Sequence, residues 1–157
     1  MAEITRKELI VALMGAGESP RLAGIDLSAL DMTRLDLEKA NLRGCKAQGA
    51  TMKECILRSA NLTGIDLTVA QLPYADLNAA IMTVANLTGA NLQGARLTGA
   101  NLTNAILNGA NMQNASLQGA TITGIRFDDK TIWPDGKIGT EADPLSYTKT
   151  PESSNVR

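Results

Sequence analysis

Histidine is absent from this chain and aromatic residues are scarce, since the 157 residues include one Phe, one Trp and two Tyr. Without an imidazole, the chain lacks the side chain that most often serves as a general base near neutral pH and as a ligand of zinc. The sequence also has no phosphate-binding loop of the form Gly-x-x-x-x-Gly-Lys, and no acidic pair stands out. We therefore predict a protein that is not an enzyme and that holds no metal or cofactor.

Excess charge and long apolar runs are missing as well. The 15 basic and 16 acidic residues give a net charge of −1, which argues against strong attraction to nucleic acid or to a membrane surface. No apolar run reaches the roughly 18 residues of a membrane-spanning helix. The stretch Leu9–Gly17 resembles the apolar part of a secretion signal, but Glu8 interrupts its start and no small-residue cleavage site follows. We expect a cytoplasmic protein without a nucleic-acid or membrane partner.

A period of five residues runs through most of the chain without interruption. Stepping by five from Leu22 to Phe127 visits 22 positions, the central positions, which hold fifteen Leu, four Met, one Ile, one Phe and Ala47. The 22 positions two residues earlier, from Pro20 to Ile125, hold fourteen Ala, two Cys, five aliphatic residues and one Pro. Neither a helix nor a strand keeps this pattern in phase, so we predict a solenoid with two inward registers.

The repeated units carry a family resemblance. Residues 85–89, 90–94 and 100–104 read Ala-Asn-Leu-Thr-Gly, Ala-Asn-Leu-Gln-Gly and Ala-Asn-Leu-Thr-Asn. They resemble the consensus of the pentapeptide-repeat family, and the resemblance extends over about residues 20–127. It implies an all-β solenoid, a right-handed quadrilateral β-helix with four units, or 20 residues, in each coil. The 22 units would make about 5.5 coils. The single uninterrupted array looks like those of cyanobacterial members of the family.

The two cysteines, Cys45 and Cys55, both fall in the inward alanine register. Ten residues apart, they would face each other across one coil, too far for a disulfide, which needs Cα atoms within about 7 Å. We expect free, buried thiols in a reducing compartment, which restore part of the volume missing at Ala47. The alternative is a redox or metal role, for which further ligands are lacking.

A helix is predicted ahead of the repeats, over residues 4–15. Thr5 and Glu8 have the spacing of a capping box. The apolar face of this helix consists of Leu9, Ile10, Leu13 and Met14. Because a solenoid end exposes strand edges and an apolar cross-section, we predict that residues 1–19 form an N-terminal helical cap on the repeat domain, residues 20–127.

Residues 128–138 are predicted to form a C-terminal cap. Ile132 continues the central register, Trp133 follows it, and Pro134-Asp135-Gly136 is a tight-turn sequence. Either Trp133 or Ile132 is expected to cover the last coil. Residues 139–157 are polar, contain two prolines and show no periodicity, so we expect a flexible tail.

Residues 20 apart should stack at about 4.8 Å along the solenoid. Charges of opposite sign fall on this spacing, which would favour the correct register by about 0.2–1 kcal/mol per pair. The predicted columns are Arg34 with Glu54, Glu38 with Arg58, Asp76 with Arg96, and Lys46 with Asp26 and Asp66. Amide ladders between coils are expected for Asn86, Asn91, Asn101 and Asn111.

Three residues break the polar pattern of the outward positions: Val69, Pro73 and Tyr74. We expect them near one corner between adjacent faces, with Tyr74 stacked between Glu54 and Gly94 and covered by no large side chain. Tyr is enriched in the cores of protein interfaces. Val69, Pro73 and Tyr74 are therefore the candidate protein-contact site, and the alternative is an ordinary turn with partly covered side chains.

A second outward apolar pair, Ile81 and Val84, is expected on the face opposite to Pro73. Between Leu77 and Ile125 the only charged residue is Arg96. These weakly charged rows are a further surface on which a partner can bind.

The resemblance implies two classes of function. Some pentapeptide-repeat proteins protect DNA gyrase from quinolones by mimicking DNA; those rods are strongly acidic, often have Phe at the central position, and dimerise. Here residues 21–128 hold nine basic and eight acidic residues, and Phe127 is the only Phe. The other class comprises interaction modules of bacterial signalling and differentiation. We predict a non-catalytic scaffold or regulator that binds another protein, with a monomer slightly favoured; gyrase modulation is the alternative.

Overall fold

The computed structural model describes residues 2–150, and its backbone repeats every 20 residues. Eighteen parallel bridges join residues 20 apart, from Arg21–Asn41 to Ile106–Arg126. Among the described residues each unit contributes one bridged residue, so the bridges are isolated and do not extend into longer strands. The chain therefore returns to the same column after four units.

Main-chain hydrogen bonds hold each bridge and each turn. Leu22 N–H donates to Asn41 C=O at 2.8 Å, and Asn41 N–H donates to Pro20 C=O at 2.7 Å. Within a unit, the N–H three residues after the centre closes a β-turn, as where Leu30 N–H donates to Leu27 C=O at 3.1 Å. Four such turns per coil let successive coils stack in register.

The two inward registers form the core. Every central position from Leu22 to Ile122 is buried, and so is every position of the alanine register from Leu30 to Ala120. A narrow coil has room for one large and one small side chain per unit, which close packing requires to interdigitate. The inward assignment of both registers is confirmed.

Cys45 and Cys55 are free and buried, as predicted. Each thiol donates to a main-chain carbonyl of the preceding coil, Cys45 to Leu22 at 2.9 Å and Cys55 to Met32 at 2.7 Å. Burial raises the pKa of both thiols, that of Cys55 to about 12. Both side chains thus remain protonated in the folded core.

Helix α1 spans Arg6–Met14, shorter than the predicted 4–15. The capping box is present: Glu8 N–H donates to Thr5 Oγ1 at 3.2 Å, and Thr5 N–H donates to Glu8 Oε2 at 2.7 Å. The helix ends at Gly15. These two bonds satisfy N–H groups that a helix N-terminus leaves without partners.

The apolar face predicted for α1 is only partly covered. Leu9 is fully buried in the core cluster and Leu13 is half-buried, but Ile10 and Met14 are 36% and 82% exposed. Polar groups complete the attachment, because Glu3 N–H and the Arg6 guanidinium donate to main-chain carbonyls of the first coil. Of the predicted apolar face, Leu9 and Leu13 therefore pack on the core, whereas Met14 does not.

At the other end, the register slips by one residue. The last parallel bridge joins Asn111 to Ile132, 21 residues apart, and Met112 N–H donates to Ile132 C=O at 2.8 Å. Trp133, not Ile132, therefore takes the central place over Met112, and it is fully buried. The prediction that Ile132 continues the central register is wrong, because the loop at 128–130 holds one extra residue.

Residues 139–150 lie on the last coil and do not hang free as a tail. Two 3-10 helices form at Gly139–Glu141 and Pro144–Thr148. The Tyr147 ring stacks on Trp133 with centroids 5.7 Å apart, and Gly119 N–H donates to Thr148 C=O at 2.8 Å. Trp133 is buried beneath this segment, and the five-residue period gives no sign that residues 139–150 pack there. Residues 151–157 of the predicted tail lie outside the described residues.

Candidate protein-contact surface

Each five-residue unit turns at the two residues after its centre, and the second of these, the corner position, has a positive φ. Glycine occupies ten corner positions of the repeats, and eleven other corners carry a side chain. A positive φ brings Cβ close to the carbonyl oxygen and costs a non-glycine residue roughly 1–2 kcal/mol. A non-glycine residue at a corner is therefore expected where its side chain makes a contribution that offsets this cost.

Two corner residues are valine, the type least suited to this conformation. Val69 has φ 52° and Val84 has φ 53°. β-branched residues are outliers at positive φ, whereas asparagine, found at corners 104 and 114, tolerates it. The two valines are also 55% and 50% exposed. Neither the backbone conformation nor burial accounts for them.

Tyr74 occupies the next corner after Val69, with φ 58°, and is 63% exposed. Its ring lies over Gly94: a Cβ added to Gly94 would be 2.5 Å from Tyr74 Cδ1 and Cε1. A Cβ on Gly89 would likewise be 3.1 Å from Val69 Cγ1. The column predicted for Tyr74 and Gly94 is confirmed, and the next coil's glycines provide the room for both exposed side chains.

Pro73 has a structural explanation of its own. It is half-buried and stands second in the β-turn closed by the bond from Ala75 N–H to Leu72 C=O. Its fixed φ suits this position of the turn. Other units use the N–H at this place to bind an Asp or Asn side chain, but Gln71 stands at that position here. The choice of proline thus needs no partner.

Val69 and Tyr74 lie on successive turns, at the two ends of one side of the coil, so the prediction that they share a corner is wrong. Gln71 lies between them, and Asn91 Nδ2 donates to Gln71 Oε1 at 3.1 Å. We call this surface, with its apolar edges and amide centre, the Val69–Tyr74 face. Ile81, 43% exposed, and Val84 form the second apolar pair elsewhere on the coil.

The asparagines before the central positions serve their own turns. The four predicted to form ladders accept a main-chain N–H two residues later, at 3.0–3.1 Å, namely Asn86, Asn91, Asn101 and Asn111. Such Asx bonds stabilise turns directly. Of these four, Asn91 also forms a ladder bond, to Gln71. Local turn chemistry is therefore the main reason for Asp or Asn in the consensus.

The charged columns form only in part. Arg34 Nε pairs with Glu54 Oε2 at 2.7 Å, as predicted, and this bond lowers the pKa of Glu54. Arg58 pairs with Asp76, 18 residues away, in place of the predicted Glu38. A diagonal pair forms because Arg58 sits beyond its unit's centre and Asp76 before its own. Glu54 lies one coil before Tyr74, so the Val69–Tyr74 face is bordered by a neutralised pair.

The chemistry of the described surface favours contact. In residues 2–150 no group of three His, Cys, Asp or Glu side chains could hold a metal ion. Every buried side-chain nitrogen or oxygen in that range has a hydrogen-bond partner. No helix there is long and apolar enough to cross a membrane. The Val69–Tyr74 face presents apolar and amide groups, which can pack against and hydrogen-bond to a protein surface.

Comparison with known families identifies the repeat. A family model described as pentapeptide repeats matches residues 21–58, 57–89 and 85–124, with 8 copies. The chain belongs to the pentapeptide-repeat family. Proteins of this family fold as right-handed quadrilateral β-helices and are generally non-catalytic structural or interaction proteins. A search of curated proteins found no match.

Several solved structures are similar. HetL, a pentapeptide repeat protein involved in heterocyst differentiation regulation in Nostoc sp. strain PCC 7120, is 33% identical over 75% of this chain, with a TM-score of 0.38. This chain spans 63% of HetL. A protein of the Arabidopsis thaliana thylakoid lumen is 31% identical over 67% of this chain and 69% of its own, with a TM-score of 0.46. The protein alr5209 from Nostoc PCC 7120 is 23% identical over 79% of this chain and 96% of its own, with a TM-score of 0.58.

Proposed function

We propose that this chain is a non-catalytic scaffold or regulator that binds another protein through the Val69–Tyr74 face. The repeats wind as a right-handed quadrilateral β-helix of about 5.5 coils, with α1 as the N-terminal cap. The proposal includes a cytoplasmic, monomeric protein whose buried thiols stay reduced.

One observation carries the proposal. Val69 and Tyr74 occupy corner positions with φ 52° and 58°, where glycine is favoured, and yet both side chains are more than half exposed. Strain that burial does not offset tends to be retained at functional sites. Tyrosine is also enriched in the cores of protein interfaces.

The surroundings support the same surface. The Arg34–Glu54 pair on one side is neutralised, and the column beyond Gln71 continues with Asn91 and Asn111. HetL, which is 33% identical, is involved in the regulation of heterocyst differentiation. Regulation through protein contact is the corresponding role that we propose for this chain.

A glycine substitution separates a contact role from a structural role. Val69→Gly and Tyr74→Gly remove the exposed side chains and relieve the positive φ. The free energy of unfolding, measured in urea, should therefore stay unchanged or rise by up to about 1 kcal/mol. Ala79→Gly, at an exposed corner of the same coil with φ 58°, is the matched control. A clear loss of stability in Val69→Gly would show that the side chain is needed for the fold.

Photo-crosslinking identifies the partner. One variant carries a photoreactive phenylalanine at position 74, and a control variant carries it at position 79. Both are irradiated in extract of the source organism. We expect a protein adduct at position 74 alone, and the purified adduct partner should bind wild type and Ala79→Gly but not Val69→Gly. Equal binding to all three would move the site away from this face. A supercoiling assay with DNA gyrase runs in parallel, and protection there would replace this proposal with the DNA-mimic alternative.

A further inference from the structure

The N-terminal edge of the first coil is covered on two sides and open on a third. Glu3 and Arg6 cover carbonyls on the first two, as described above. On the third side, Asp36 N–H, Asp36 C=O and Glu38 C=O have no hydrogen-bond partner among residues 2–150. Open edges of this kind are a template for a further strand, and proteins usually block them.

The next coil shows how such an edge is completed. Leu37 N–H donates to Ile56 C=O at 2.7 Å, Lys39 N–H donates to Arg58 C=O at 2.8 Å, and Ile56 N–H donates to Leu35 C=O at 3.0 Å. A segment added before Asp36 and Glu38 in the same geometry would make three bonds from five consecutive residues. Its two donor residues would be two apart, and its acceptor would precede the first donor by two.

An apolar wall lies beside this edge. A groove of about 560 Å³ separates it from the C-terminal half of α1, and Ile10, Leu13 and Met14 line the helix side. Met14 is the most exposed of them, at 82%. An added segment would point alternate side chains inward at this wall, so those side chains should be apolar.

The charge of the groove indicates which outward side chains an added segment should carry. Glu18, Asp36 and Glu38 line it, against a single Lys39. None of the three carboxylates forms an ion pair in the described part of the chain, since Arg58 turns to Asp76. Outward side chains of an added segment would lie beside Asp36 and Glu38, where lysine or arginine fits best.

We propose that this groove binds a five-residue segment of another protein that adopts the backbone of one repeat unit, with apolar residues that alternate with lysine or arginine. The segment adds to the first coil as a parallel strand, so main-chain bonds supply affinity and the alternating side chains supply selectivity. This site is separate from the Val69–Tyr74 face, and its test uses different residues.

The test begins by selecting a displayed library of random short peptides on the full chain. We expect enriched sequences in which apolar and basic residues alternate. A synthetic peptide of the most enriched sequence should bind Met14→Glu at least tenfold more weakly. Val11→Glu, on an exposed residue of the same helix that does not line the groove, should bind as wild type does. Tyr74→Gly should also bind normally.

Hydrogen exchange checks the strand geometry. Adding the peptide should slow exchange at Asp36 N–H at least tenfold, while Ile56 N–H, already bonded, should not change. Methylating the peptide nitrogens that donate to Asp36 and Glu38 should abolish binding. No enrichment, enrichment of acidic sequences, or equal binding to Met14→Glu would overturn the proposal. So would a wild-type dimer that Met14→Glu dissociates, because a second copy would then fill the groove.

Discussion

The two ends of the rod are closed by different means. At the N-terminus a separate element, α1, lies on the first coil through one fully buried side chain, Leu9, and through polar bonds from Glu3 and Arg6. At the C-terminus Trp133 occupies a central place within the repeat and is covered in turn by Tyr147. One end is closed by a few aliphatic side chains together with polar groups, and the other by aromatic rings.

This difference shows what the end of a stacked repeat requires. A terminal coil exposes both an apolar cross-section and a row of main-chain polar groups. A cap can cover mainly the one or mainly the other. Burying aromatic area yields more free energy than exposed polar bonds do. We therefore expect the C-terminal closure to be the more sensitive to substitution.

Trp133→Ala should have the largest effect. It empties a fully buried place next to Phe127 and Tyr147, and such a change costs about 3–5 kcal/mol of unfolding free energy. Trp133→Phe is the matched control, since it keeps a ring but loses the bond from Nε1–H to Gly139 C=O at 2.8 Å. Urea unfolding measures both. A cost below about 1 kcal/mol for Trp133→Ala would contradict the proposed closure.

Leu9→Ala should rank next, at about 2 kcal/mol, the lower end for a buried leucine because α1 can detach without unfolding the coils. Met14→Ala, on an exposed residue of the same helix, should change almost nothing. Urea unfolding gives the free energies, and hydrogen exchange along α1 shows whether the loss stays local. Equal effects of the two substitutions would mean that the helix is not anchored through Leu9.

Arg6→Met should cost less, about 1 kcal/mol. It removes two charge-assisted bonds, to Asp31 C=O at 2.8 Å and to Thr33 C=O at 2.9 Å, from a partly exposed edge where water can replace them. Lys7→Met provides the control at an exposed neighbour. High salt should weaken part of the Arg6 contribution, because Arg6 Nη1 also lies 3.7 Å from Asp31 Oδ1 and forms an exposed ion pair with it. If Lys7→Met costs as much unfolding free energy, the bonds from Arg6 to the first coil do not account for the loss.

The core followed from the sequence because its registers obey one period, and the period is a property of the backbone that every coil shares. The corner glycine next to Tyr74 also followed, since a 20-residue column places Gly94 there. The placement of Trp133 did not follow, because one extra residue in the 128–130 loop leaves no trace in composition or periodicity. The exposure of Met14 depends on how α1 tilts on the coil, which no local pattern specifies.

Acid should weaken both ends together. Hydrogen bonds from Thr33 lower the pKa of Asp31 at one end, and the bond from Lys137 N–H lowers that of Asp135 at the other. A lowered pKa in the folded state means stability that is fully present above the ordinary value of 3.8 and lost as pH falls through the lowered one. With no histidine, thermal midpoints should be flat from about pH 5 to 8 and fall below about pH 4.

Alkali should weaken the C-terminal closure through Tyr147. Burial, together with the bond to Asp135, raises the pKa of Tyr147 to about 12 from 10.0. The neutral phenol is thus favoured in the folded state, so its contribution is present below pH 10.0 and is lost as pH rises through about 12. Cys45 and Cys55 add a similar loss from pH 9.0 upwards, because burial raises the pKa of both thiols.

Tyr147→Phe isolates the C-terminal part of that loss, because it keeps the ring on Trp133 and removes the titrating hydroxyl. The variant should be less stable than wild type at neutral pH, where the bond to Asp135 at 2.8 Å is missing. The difference in thermal midpoint between the two proteins should shrink as pH rises from 10.0 towards 12. A constant difference across this range would show that Tyr147 does not titrate with folding, and that the C-terminal closure depends on the ring stack alone.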